Sequence, residues 1–140
     1  MIEKIFVEND LAAIIIRSDF KMPDSSIDFI TDSNDSLQLG YMKRGKGYEI
    51  QPHIHKKIDR TISFTNEVLV IKKGKVRIDF YNNDQIFHSN NILYKGDIIL
   101  LNKCGHGFVM LEQSEIIEIK QGPYLGDNDK IRFLNKKSVS

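Results

Sequence analysis

Short apolar runs, each about four to six residues long and broken by turn-forming residues, recur along this chain at the spacing of a sandwich or barrel. Lys75-Val76-Arg77-Ile78-Asp79-Phe80 alternates strictly between polar and apolar, and Asn82-Asn83-Asp84 follows it, which predicts a strand running into a hairpin turn. Strands are expected near 4–7, 11–17, 37–43, 47–55, 61–64, 68–71, 75–81, 86–88, 97–102, 107–111, 115–120 and 131–134. A sustained 3.6-residue period is absent, and only Asp24 to Thr31 has room for a short helical turn. The stretch from Lys21 to Ser36, rich in Ser, Asp and Asn, reads as a loop between an N-terminal hairpin (1–20) and the main body. The polar end from Asn135 to Ser140 is expected to fray.

Composition sharpens the fold class. With 140 residues the chain is expected to be a single domain (1–140), at about 150 residues per domain. It carries 21 Ile and 6 Val against 2 Ala and no Trp, which favours pleated, half-buried surfaces. The expectation is an all-β barrel or sandwich. Twenty Lys and Arg against 19 Asp and Glu leave a net charge of +1, without the basic excess of a dedicated nucleic-acid binder. The apolar run Leu11 to Ile16 is too short for a signal h-region or a membrane span. The single cysteine, Cys104, can form no intrachain bridge, so a cytoplasmic, reducing setting is expected.

The candidate chemistry begins at Gly47-Tyr48-Glu49-Ile50-Gln51-Pro52-His53-Ile54-His55. As a strand, this segment sends Tyr48, Ile50, Pro52 and Ile54 to one face and Glu49, Gln51, His53 and His55 to the other. Two imidazoles at i and i+2, with Cβ atoms roughly 6 to 7 Å apart, can grip one metal ion. Farther on, Glu67 stands seven residues before Gly74, and Gly96-Asp97-Ile98-Ile99-Leu100-Leu101 leads into Gly105-His106.

This ordered set resembles the two motifs of the cupin superfamily, over about residues 40 to 120. The resemblance implies a single-domain cupin, that is, a double-stranded β-helix or jelly-roll barrel with a C-terminal strand near 129–134. It also implies a divalent first-row metal held by His53, His55, Glu67 and His106. Such a ligand set suits Fe, Mn, Ni, Cu or Zn alike. Asp59 stands at the usual spacing after His55 and competes with Glu67 for the carboxylate role; Glu67 keeps its interval to Gly74 and opens an apolar run. Glu49 and Gln51 are candidates for orienting a bound ligand. Arg60 could meet an anionic group at the pocket mouth, and Phe108 and Met110, on the same strand face as His106, could form an apolar wall.

A narrower likeness lies in Gly105-His106-Gly107-Phe108, Glu118-Ile119-Lys120-Gln121-Gly122-Pro123-Tyr124 and Asp129-Lys130-Ile131-Arg132-Phe133. These resemble a group of small cupins linked with bacterial surface-polysaccharide genes, which implies a sugar or nucleotide-sugar context. The expected function is a metal-dependent enzyme of unassigned reaction acting on a small molecule. A non-catalytic sugar-binding module is one alternative, and a metal-free epimerase or isomerase using His106 or His88 with an acid partner is the other. His88 matches no motif position and Cys104 reads as an ordinary thiol. A homodimer is expected, with the segments from Ile2 to Ile16 adding to a sheet edge of a second subunit.

Overall fold

The computed structural model describes residues 1–23 and 27–135. The backbone gathers into two compact units, Met1–Phe20 with Phe64–Ser140, and Lys21–Ser63. Regular structure is almost entirely antiparallel β, and no helix among the described residues is long and apolar enough to cross a membrane.

In the larger unit, β1 (Ile2–Val7) and β2 (Asp10–Ile16) form the expected N-terminal hairpin. There follow β5 (Glu67–Lys73), β6 (Lys75–Tyr81), β7 (Phe87–Tyr94), β8 (Ile98–Leu101), β9 (Gly105–Met110) and β10 (Glu115–Lys120). One sheet has the order β1-β2-β8-β5-β10 and the other β7-β6-β9. Inward residues of both sheets meet in one core, with Ala13 and Ile15 from β2, Leu69 and Ile71 from β5, and Ile99 and Leu101 from β8. The other sheet contributes Val76, Ile78 and Phe80 from β6 and Leu93 from β7. Full burial of each of the larger side chains stabilises the fold by about 1.5–3 kcal/mol. The apolar run Leu11 to Ile16 has its own explanation: Ala12 through Ile16 are all buried, so β2 has no wet face from Ala12 onward.

The β6–β7 hairpin turns where expected. Asn82 Oδ1 accepts from the backbone N–H of Asp84 and of Ile86, both at 3.0 Å, which closes the turn with a side chain. β7 runs on to Tyr94, well past the expected 86–88, because its whole length pairs with β6. At the turn into β8, Asp97 is buried and fully engaged. Its carboxylate accepts from the backbone N–H of Ser18 and Tyr94 and from Arg17 Nη1, each at 2.9 Å. Arg17 Nη1 also donates to the carbonyl of Ile92 on β7 at 2.7 Å, and Arg17 Nε to Glu3 Oε1 on β1 at 2.6 Å.

The expected strand at 131–134 does not form. Residues 131–135 lie as non-strand chain attached by side chains: the Phe133 ring stands edge-on to Tyr81 at 5.0 Å, and Asn135 Nδ2 donates to Asp79 Oδ2 at 3.5 Å. Gly105 leaves the room for this, since a Cβ there would sit 3.0 Å from the Phe133 ring.

The smaller unit holds one short hairpin, β3 (Ile27–Phe29) and β4 (Gly40–Met42). Its turn is closed by polar side chains: Gln38 Nε2 donates to the carbonyls of Asp32 and Asp35, and Thr31 Oγ1 accepts from the N–H of Leu39. A strand therefore stands at 27–29, where a helical turn was expected within 24–31; residues 24–26 lie outside the described residues, as do 136–140 of the expected frayed end. The strands expected at 47–55 and 61–64 are also absent. Residues 43–63 make no ladder, and Ile50, Ile54, Ile58 and Ile62 stay exposed, Ile54 at 93 %. Period-two alternation there describes side-chain polarity but lacks a neighbouring strand to pair with, and without one an extended segment gains no ladder.

Candidate functional site

The site is built where two strands of the larger unit present polar residues at their ends. Glu67 opens β5, opposite Leu101 of β8 on one side and Lys120 of β10 on the other. His106 lies near the start of β9, opposite Phe80 of β6. Between Leu101 and His106 the chain reverses through Asn102–Gly105, and the left-handed backbone angle of that turn falls on Cys104, at φ 90°, with no positive angle at the glycines beside it. The reversal brings His106 Nε2 to 3.3 Å from Glu67 Oε2, with both side chains largely buried. Hydrogen bonding to His106 holds the Glu67 carboxyl below the usual glutamate range against the opposing effect of burial, helped by the positive charges of His106, Lys120 and Lys130.

Around this pair lies a cleft of about 570 Å³, bordered by Phe64, Thr65, Lys103, Phe108, Lys130 and Phe133 among others. The Phe108 ring lies beside His106, with centroids 5.7 Å apart. Met110, the other expected wall residue, is half exposed at the far end of β9, and Val109 borders the cleft instead. Thr65 donates to Asp129 Oδ2 at 3.2 Å, and Asp127 is paired with Arg132, so the 3₁₀ turn Gly126–Asp129 and the chain after it are tied down beside the opening. The Cys104 thiol is pushed up by burial and by the carboxylates of Asp10 and Glu8, which keeps it protonated and poorly nucleophilic at neutral pH.

The other expected ligands lie in the smaller unit. His53 and His55 do come together, with ring centroids 5.1 Å apart and planes at 76°, although no strand holds them. His53 Nδ1 is 2.9 Å from the carbonyl oxygen of Gln51, the contact that commonly fixes the tautomer of a ligating imidazole. Glu49, Gln51, Asp59 and Arg60 are exposed on the same non-strand segment. Within either unit, no group of three or more His, Cys, Asp or Glu side chains among the described residues is gathered as a metal cage. His88 is exposed, its Nδ1 beside Ser89 Oγ at 3.0 Å.

One feature of the site was not anticipated from sequence. Three amide residues, Asn66, Asn102 and Gln121, interlock beside Glu67. The N–H of Asn66 donates to Gln121 Oε1 at 2.7 Å, Gln121 Nε2 donates to Asn66 Oδ1 at 3.1 Å, and Asn66 Nδ2 donates to Asn102 Oδ1 at 2.9 Å. Their mark in the sequence is position, each being a polar amide one or two residues outside an apolar run.

Chemically, the pair offers one nitrogen and one oxygen donor converging on the same point, or a carboxylate that orients an imidazole for proton transfer. No protein-family model, curated protein or solved structure matches this chain.

Proposed function

We propose that the cleft around Glu67 and His106 binds a small molecule and that these two residues are ligands of a divalent first-row metal, in a metal-dependent cupin of the jelly-roll type. The observation that carries the reading is the 3.3 Å between Nε2 and Oε2. Adjacent ligands on an ion with bonds of about 2.0–2.2 Å and ordinary tetrahedral or octahedral angles stand about 2.9–3.5 Å apart, so the pair already has the separation that an ion would impose. A glutamate carboxylate suits the same role, and His106 joins it as a ligand in its neutral form, giving up its proton as the ion binds. His53 and His55 are retained as the remaining ligands on the sequence resemblance, which is also the source of the proposed sugar or nucleotide-sugar ligand. When bound, the ion would supply Lewis acidity to a substrate oxygen. The chain's own contribution is to exclude water with Phe108 and Phe133 and to hold one face of the ligand against His106.

A second reading draws on the same contact. His106 with Glu67 behind it is an acid-partnered imidazole, the arrangement that a metal-free epimerase or isomerase requires, whereas the exposed His88 has Ser89 Oγ beside its Nδ1. Titrating chelator-treated protein with Co²⁺, Ni²⁺ and Zn²⁺ by calorimetry separates the two. Stoichiometric binding that weakens at least tenfold in Glu67→Gln and in His106→Ala supports the metal reading; no binding of any of these ions removes it and leaves the acid–base pair.

A further inference from the structure

The backbone ladder that holds Glu67 stops at Glu67 itself. Its last registered rungs are Glu67 opposite Leu101 and Glu67 opposite Lys120. A residue on the terminal rung of a strand is where fraying begins, and a carboxylate that must stay at bonding distance from a ring on the facing sheet cannot tolerate fraying. One step farther out, the next residues of the same three strands are Asn66, Asn102 and Gln121, and there side chains take over from backbone. Asn66 stands between the other two. Its N–H donates to Gln121 Oε1, its Oδ1 accepts from Gln121 Nε2, and its Nδ2 donates to Asn102 Oδ1 and, at 3.4 Å, to the carbonyl of Leu101. Asn102 in turn donates its own N–H to the carbonyl of Ala12 at 2.9 Å, which ties the ladder to β2.

Both members of the pair are joined to this rung through the chain. Asn66 is covalently next to Glu67, and Asn102 begins the reversal that ends at His106. We propose that Gln121, Asn66 and Asn102 are positioning residues: their amide rung extends the sheet past Glu67 and sets the Glu67–His106 separation. The proposal rests on the reading of that pair as the functional centre. A merely structural rung would contribute stability alone. A positioning rung also decides whether the imidazole and carboxylate stay in register.

The test uses the full chain in metal-free form. Gln121→Met keeps the side-chain volume and removes both amide bonds. The ¹⁵N shifts of the His106 imidazole report whether one nitrogen remains fixed against Glu67. The wild type is expected to show one dominant tautomer. Gln121→Met is expected to give averaged shifts while the amide spectrum of the core strands stays in place. Metal affinity, measured alongside, is expected to fall about tenfold or more, the range seen when a partner behind a metal ligand is lost. If Gln121→Met does not fold, Asn102→Ala, which removes the carboxamide that accepts from Asn66 Nδ2, is read in the same way. Unchanged imidazole shifts in a folded variant overturn the proposal. Averaged shifts in a chain whose wild type takes up no Co²⁺, Ni²⁺ or Zn²⁺ uphold the positioning role and remove the metal reading.

Discussion

At the scale of single residues, a few positions carry local demands that no substitution can meet without cost. Gly74 joins β5 to β6 at φ 90°, and a Cβ there would lie 2.5 Å from the carbonyl oxygen of Gln113 and 2.8 Å from the Cα of Ser114. Both the backbone angle and the neighbouring main chain oppose a side chain, so Gly74→Ala is expected to cost about 2–4 kcal/mol, read as a lowered midpoint in urea. The glycine that serves as a motif mark in the sequence is thus required by a close crossing of chains. Cys104 has the reverse problem, holding a left-handed angle with a side chain present. Cys104→Gly relieves the angle and loses a little packing, whereas Cys104→Val adds a branched Cβ where the backbone tolerates it least; the valine variant is expected to be the less stable by about 1–3 kcal/mol in thermal melts. Glu67 gives a pH signature. Because its folded-state pKa is depressed, its contribution to stability is fully present above the ordinary glutamate value of about 4.3 and is lost as pH falls through the lower folded value. Glu67→Gln should therefore flatten part of the acid limb of a stability-versus-pH curve below that point and leave the neutral side without this slope.

At the scale of elements, most strands of the larger unit were legible, while β3 was missed, β7 was seen only in its first residues, and expected strands that lack a partner did not form. β2, β6 and β8 fall within a residue or two of their expected limits because each buries an apolar row against neighbours that the same rules also identify, and β10 matches its limits as well although only Ile116 packs on the core while Ile117 and Ile119 are exposed. The segment 47–55 alternates as cleanly as β6 does, yet it forms no ladder. Alternation records which side chains would share a face if the backbone were paired; it carries no information on whether a partner strand exists. The expected strand at 131–134 failed for a related reason, since Phe133 and Asn135 anchor the chain through side chains and leave its backbone unladdered. The candidate site divides along the same line. Glu67 and His106 could be named from sequence, and their strands bring them together. Asn66, Asn102 and Gln121 could not, because an amide at a strand end looks the same in sequence whether it meets water or another amide.

At the scale of the whole molecule, the described chain contains one region held by dense pairing and another held by little. In 43–63 no strand ladder forms among the described residues, a turn is closed by the Tyr48 N–H donating to the Gly45 carbonyl at 3.2 Å, and Lys56, Lys57 and Arg60 are exposed. Limited trypsin digestion is expected to cut first at these three residues, while Lys72, Lys73 and Lys75 around the β5–β6 turn persist; the cut sites are read by mass spectrometry. If His53 and His55 are metal ligands, a saturating divalent ion should slow cleavage at Lys56 and Lys57 severalfold, and in His53→Ala that protection should vanish. Equal cutting with and without the ion would take the two imidazoles out of the ligand set.

The engagement of Asp97 reaches further than its own turn. One carboxylate and one guanidinium join the ends of β1, β2, β7 and β8, so strands from opposite layers share a single knot of bonds. In the larger unit this knot ties the two layers to each other at one end. The layers should melt together, and Asp97→Ala, by leaving Arg17 half-stranded, should turn one sharp transition into a broad one.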